Sequence, residues 1–117
     1  MEIINSKRHK DFVQDLREIL NQTQMISYEI KNAEIRNKLS EIVIPNFIEV
    51  ISYVEVNDLR NVNLNFSLSK CVHQIIDLAD SNKNLMMLSS KYKVIREEII
   101  NLINIGDEEY YSYRNKG

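Results

Sequence analysis

The sequence predicts an all-α protein, an antiparallel bundle of four to five helices, and two observations carry this prediction. Its 117 residues include only two glycines, Gly106 and Gly117, and one proline, Pro45, whereas strand-rich folds need frequent Gly and Pro turns. Apolar residues also recur at alternating steps of four and three over long segments, which is the spacing of one helix face. We expect residues 1–105 to form a single bundle domain and residues 106–117 to form a C-terminal tail.

The first helix is predicted from Ser6 to about Lys31. Its helical stripe consists of five apolar residues and one threonine: Phe12, Leu16, Ile19, Thr23, Ile26 and Ile30. The phase of the stripe changes at Asn32, where we place a boundary. A second helix should end near Ile44, because the residue before Pro45 is disfavoured in the α region.

The segments 50–56 and 62–68 support two interpretations. Residues 50–56 are rich in β-branched residues. Residues 62–68 alternate apolar and polar residues, as a half-buried strand does. Together they predict a short hairpin, and hence an α+β fold, as the alternative. Two strands alone are only marginally stable. We therefore favour a helix over residues 46–56, followed by an extended or helix-opening connection through residues 60–67. This connection would lay Val62, Leu64 and Phe66 onto the bundle.

Two further helices complete the predicted bundle. The helical period returns at Leu68, and residues 81–84 (SNKN) form a turn. The last helix carries a stripe with the same four-three spacing, formed by Leu88, Tyr92, Ile95, Ile99 and Leu102. Gly106 then follows at the position where a C′ glycine ends a helix.

Charge, hydropathy and cysteine content limit the classes to which this protein can belong. The net charge of −2 and the pI of about 5.7 disfavour a general nucleic-acid binder, which is usually strongly basic. No apolar run approaches the ~18 residues that a membrane span needs, and the N-terminus lacks the apolar core of a signal peptide. The single cysteine, Cys71, excludes an internal disulfide and fits a reducing compartment. We expect a cytoplasmic protein that does not bind membranes.

Reactive groups are few and scattered. His73, Asp77 and Asp80 share one helix face. A metal site of this kind requires a second histidine, so we interpret these residues as part of a solvated helix face. Cys71 has no partner at a fixed spacing to activate it, so a buried structural thiol is expected. Glycine-rich phosphate loops are absent from the sequence. We expect no enzymatic activity, no catalytic residue, no metal and no cofactor.

Two surfaces remain as candidates for binding. The tail YYSYRNKG contains Tyr110, Tyr111, Tyr113 and Arg114, residue types that dominate interface hot spots; the alternative is that they fold back on their own bundle. The basic run Lys7, Arg8, His9 and Lys10 is a possible anion-binding site, and with Lys70, Lys91 and Lys93 it is the basis of an alternative function as a nucleic-acid-binding accessory protein.

These observations favour a small non-enzymatic protein that binds a protein partner, as inhibitors, immunity factors, antitoxins and adaptors do. A short antiparallel bundle with a C-terminal tail resembles the plan of small bacteriocin-immunity proteins, and a phage or other mobile element is the source we would expect. The long apolar stripes are also compatible with a homodimer.

Overall fold

A computed structural model describes residues 7–57, 59–60, 62–106, 108–109 and 112. Its helices are α1 (Lys7–Glu29), α2 (Ala33–Lys38), a π-helical turn (Leu39–Val43), α3 (Ile44–Val56), α4 (Val62–Ser81), a 3₁₀ turn (Lys83–Leu85) and α5 (Met86–Asn104). Since α2, the π-helical turn and α3 form one continuous rod, the architecture is a bundle of four antiparallel rods. The predicted all-α bundle is confirmed.

The N-terminal rod and the boundary after it follow the sequence closely. The helix α1 extends from Lys7 to Glu29, whereas Ser6 lies outside the described residues. Asn32 is the N-cap of α2, and its side-chain oxygen accepts a hydrogen bond of 3.2 Å from the backbone N–H of Ile35. This contact satisfies a helix N–H that has no partner within the helix.

Pro45 does not break the second rod, so the predicted helix end near Ile44 is wrong. Ile44 itself keeps helical dihedrals, with φ −61° and ψ −49°. Proline removes a hydrogen-bond donor and its ring clashes with the carbonyl four residues earlier. The π-helical turn just before Pro45 is wider than an α turn, and this width accommodates both defects without ending the helix.

Residues 62–67 open α4 as a helix, so the extended form of the predicted connection at 60–67 is wrong. The hairpin alternative is wrong as well, because residues 50–56 belong to α3. Among the residues that the structure describes there is no strand. Leu64 and Leu68 are buried, whereas Phe66 is 77% exposed, so the side chains follow a period of four rather than two. The side chain of Val62 lies outside the described residues.

The end of α5 is held by a side chain from another part of the chain. Arg60, in the connection between α3 and α4, donates from Nη2 to the backbone carbonyl of Ile105 at 2.7 Å. Ile105 is the C-cap of α5 and is extended, with φ −78° and ψ 160°. Gly106 follows at the C′ position, as predicted, but its φ lies outside the left-handed region. The carbonyl at the end of α5 is therefore bound by Arg60 and not by a glycine cap motif.

We expect Arg60→Ala to lower the free energy of unfolding by about 1–2 kcal/mol, because a helix C-terminus then loses a charged hydrogen-bond donor. Urea unfolding at neutral pH measures this loss. Arg17→Ala is the control, since Arg17 forms a 2.7 Å ion pair with Glu55 in which both side chains are largely exposed, and such pairs contribute little. Equal losses in the two variants would contradict the cap.

The four rods form a ring in which α1 packs on α3, α3 on α4, α4 on α5, and α5 on α1. The core inside this ring is formed by the predicted stripes, and its largest fully buried side chain is Tyr92. The ring of Tyr92 contacts that of Phe47 from α3, with centroids 4.9 Å apart. Within the described residues, no helix has the length and apolar character needed to cross a membrane.

Candidate functional site

The predicted binding residues of the tail, Tyr110, Tyr111, Tyr113 and Arg114, lie outside the described residues. In the basic run, the side chains of Lys7 and Arg8 also lie outside them. His9 is only 2% exposed, because it precedes Val13 by one turn on the buried side of α1. Lys10 is exposed, so it is the one described side chain of this run that faces solvent.

The other basic residues and the reactive side chains do not converge on one site. Lys70 lines a depression between α3 and α4, whereas Lys91 lies between α1 and α5, on the opposite side of the ring. His73, Asp77 and Asp80 are exposed on α4. In the part of the chain that the structure describes, no three His, Cys, Asp or Glu residues are grouped so that they could hold a metal ion.

Cys71 is fully buried, as the sequence predicts. Burial raises the pKa of its thiol from 9.0 to about 11. Since the thiolate is the reactive form of cysteine, this side chain is an inert part of the core at neutral pH.

Two adjoining depressions follow the seam between α1 and α5 and form one groove, which we call the α1/α5 groove. Their volumes are about 400 and 300 Å³, and both are lined by Gln22, Met87 and Lys91. The remaining lining residues are Asp15, Glu18, Ile19, Met25, Ile26 and Glu29 from α1, and Asn84, Leu88, Ser90, Val94 and Ile95 from the other side. Between Asp15 and Glu29 the groove follows α1 for roughly 21 Å.

Large apolar side chains of the groove face solvent. Met25 is 63% exposed, Met87 74% and Val94 65%. Met87 and Val94 lie beside the buried stripe of α5 rather than in it, so neighbouring helices do not cover them. Fully burying a side chain of this kind is worth roughly 1.5–3 kcal/mol. A partner that covers all three therefore gains a substantial free energy of binding.

Polar contacts hold the two walls of the groove together. Lys91 donates from Nζ to Oε1 of Gln22 at 2.8 Å. Beneath it, the Thr23 hydroxyl donates to the carbonyl of Ile19 at 2.8 Å and lies 2.8 Å from the hydroxyl of Tyr92. Because the single proton of the Thr23 hydroxyl is already used, the Tyr92 hydroxyl is the donor in this second contact. The contact fixes α5 against α1.

One end of the groove is acidic. Burial raises the pKa of Asp15, and the neighbouring carboxylates of Glu18, Glu98 and Asp11 raise it further. Carboxylates thus converge from both helices, since Glu98 belongs to α5 and the other three to α1. The negative charges of Asp15 and Glu18, which line the groove here, favour the approach of positive charge at this end.

A separate depression, of about 290 Å³, lies between α3 and α4, outside the α1/α5 groove. Its lining residues include Phe66, Tyr53, Glu49 and Lys70. Phe66 is its one large apolar side chain that is mostly exposed, and its charged residues have opposite signs. The α1/α5 groove has three such apolar side chains in a row and a charge of one sign at one end. It is therefore the stronger candidate for a binding surface.

Sequence reasoning missed this groove, although part of the signal was present. Met25 and Met87 are apolar residues that lie outside the four-three stripes, and such residues in a helix indicate a second apolar face.

Comparison of the chain with protein-family models, with curated proteins and with solved structures finds no match.

Proposed function

We propose that this protein acts without catalysis, by binding a protein partner at the α1/α5 groove. The observation that carries the proposal is the row of exposed apolar side chains, Met25, Met87 and Val94, along one groove. Contiguous apolar surface of this kind marks interaction sites. The groove also lacks the arrangement of nucleophile, base and orienting group that covalent catalysis requires.

The class of action that fits is that of an inhibitor, immunity factor, antitoxin or adaptor, whose activity consists of occupying another protein. The tail residues Tyr110, Tyr111, Tyr113 and Arg114 are proposed as a second contact, because they follow α5, which forms one wall of the groove.

Photo-crosslinking tests the proposal directly. We expect a photoreactive amino acid at position 94 to form a covalent adduct with a discrete protein in an extract of the cells that make this chain. Val56 is the matched control, since it is also a valine, is 69% exposed and lies on α3. A crosslink from position 56 but not from 94 would place the interface elsewhere, and no protein adduct from either position would contradict partner binding.

A further inference from the structure

We propose that the α1/α5 groove takes a basic amphipathic helix of the partner protein. The apolar face of that helix would cover Met25, Met87 and Val94, and its Lys or Arg side chains would lie beside Asp15 and Glu18. This inference rests on the proposed function and adds the chemistry of the partner to it.

The sign of the charge comes from the acidic end of the groove. Asp11, Asp15 and Glu18 follow one another at i, i+4 and i+7 on α1, so they share one face of that helix. The charged neighbours that shift the pKa of Asp15 are all carboxylates, and one of them, Glu98, belongs to the opposite wall. A partner with positive charge is attracted to Asp15 and Glu18, whereas these carboxylates repel the phosphates of nucleic acids and of anionic lipids.

Lysine in the groove does not reverse this preference. The ammonium group of Lys91 is half-buried and is already hydrogen-bonded to Gln22. At the far end of the groove, the side chain of Glu29 adds another negative charge. Acidic side chains thus lie at both ends of an apolar floor, and they complement a helix that is apolar on one face and basic on its flanks.

The shape of the groove favours a helix over other peptide conformations. Strand addition needs an exposed sheet edge, and the described residues contain no strand. Proline-rich segments bind grooves lined by aromatic side chains, whereas aliphatic side chains and methionines line this one. A groove of roughly 21 Å matches about four turns of helix, with anchors at i, i+4 and i+7. Flexible methionines can adapt to the contour of such a helix.

A charge-swap experiment on the full chain tests the proposal. The probe is a synthetic 18-residue helical peptide with leucines along one face and lysines on both flanks, and its twin carries glutamate at every lysine position. We expect the basic peptide to bind roughly tenfold more tightly than its acidic twin. In the variant Asp15→Lys/Glu18→Lys this preference should reverse. Titration calorimetry at low and high salt measures both affinities.

The matched control is Asp77→Lys/Asp80→Lys, which makes the same change of charge at the same spacing on exposed positions of α4. This control should keep the preference of the natural chain. Because the groove variant should gain affinity for the acidic twin, loss of folding cannot imitate the expected result. The methionine methyl signals locate the site: those of Met25 and Met87 should shift on binding, whereas that of Met86, exposed outside the groove, should shift less.

Several results would overturn the inference. These are equal affinity for the two peptides, an unchanged preference in the groove variant, or methyl shifts confined to Met86. Binding to anionic vesicles or to RNA in preference to the basic peptide would do so as well, as would a homodimer that buries the groove, detected by sedimentation. If position 94 still crosslinks to a protein while neither peptide binds, the proposed function stands and only the chemistry of the partner is wrong.

Discussion

Tyr92→Ala should lower the free energy of unfolding by about 3–5 kcal/mol, the range found when a buried aromatic side chain is truncated. Tyr92 is fully buried and contacts the ring of Phe47. Its hydroxyl also donates to Thr23, so the same side chain joins three of the four rods. Since domains of this size are stabilised by about 5–15 kcal/mol, the loss is a large fraction of the total.

The variant Tyr92→Phe separates packing from hydrogen bonding. It removes only the hydroxyl, and Thr23 keeps its bond to the carbonyl of Ile19, so we expect a loss of about 1 kcal/mol. Tyr28→Ala is the control, because Tyr28 is 86% exposed and such changes stay within about 0.5 kcal/mol. Urea unfolding of the three variants gives the comparison. A loss in Tyr92→Phe as large as in Tyr92→Ala would contradict the dominance of packing.

Alkaline pH should destabilise the bundle through Cys71. The pKa of the buried thiol is raised from 9.0 to about 11. Below pH 9 both the folded and the unfolded chain keep the thiol proton, so Cys71 adds no pH dependence to the free energy of unfolding. Above pH 9 the unfolded chain ionises first and binds fewer protons than the folded chain, so stability falls. We expect a loss of about 2 kcal/mol between pH 8 and pH 10.5 from this group.

The variant Cys71→Ala isolates the effect. Urea unfolding at the two pH values should give a decline about 2 kcal/mol smaller in Cys71→Ala than in the natural chain. Burial also raises the pKa of Tyr92, and this group gives a decline of the same sign that both proteins share. Identical declines in the two proteins would show that the thiol of Cys71 ionises as readily in the folded state as in the unfolded one.

The stripes predicted the core because a period of 3.6 residues leaves a clear signal over long helices. In α5, all five predicted members from Leu88 to Leu102 are buried. The short stretch 62–68 gave an ambiguous pattern, because apolar residues at every second position, as in a strand, also occur at every fourth position, as on a helix face. Leu64 and Leu68 fit both a strand and a helix, and only the exposure of Phe66 distinguishes the helix from the strand. Tertiary packing, rather than the local pattern, decides such a segment.

The groove could not be predicted from the sequence to the same degree. Met25 and Met87 belong to helices that are distant in the chain, and their proximity depends on α1 and α5 being neighbours in the ring. The acidic end depends on the same pairing, since Glu98 meets Asp15 only when the two helices are antiparallel. Local periodicity carries no information on either relation.

The π-helical turn at Leu39–Val43 also explains how the second rod keeps one side toward the core. Its buried residues Ile35, Leu39, Val43 and Phe47 are each four positions apart, and in a regular α-helix each such step would rotate the face by about 40°. The π-helical turn contains the step from Leu39 to Val43 and has more residues per turn, so this step rotates in the opposite direction and offsets part of the drift. We therefore expect that deletion of one residue within this turn leaves a regular α-helix with both flanking faces near their original direction. An insertion or deletion within α4 would instead rotate everything beyond it by about 100°.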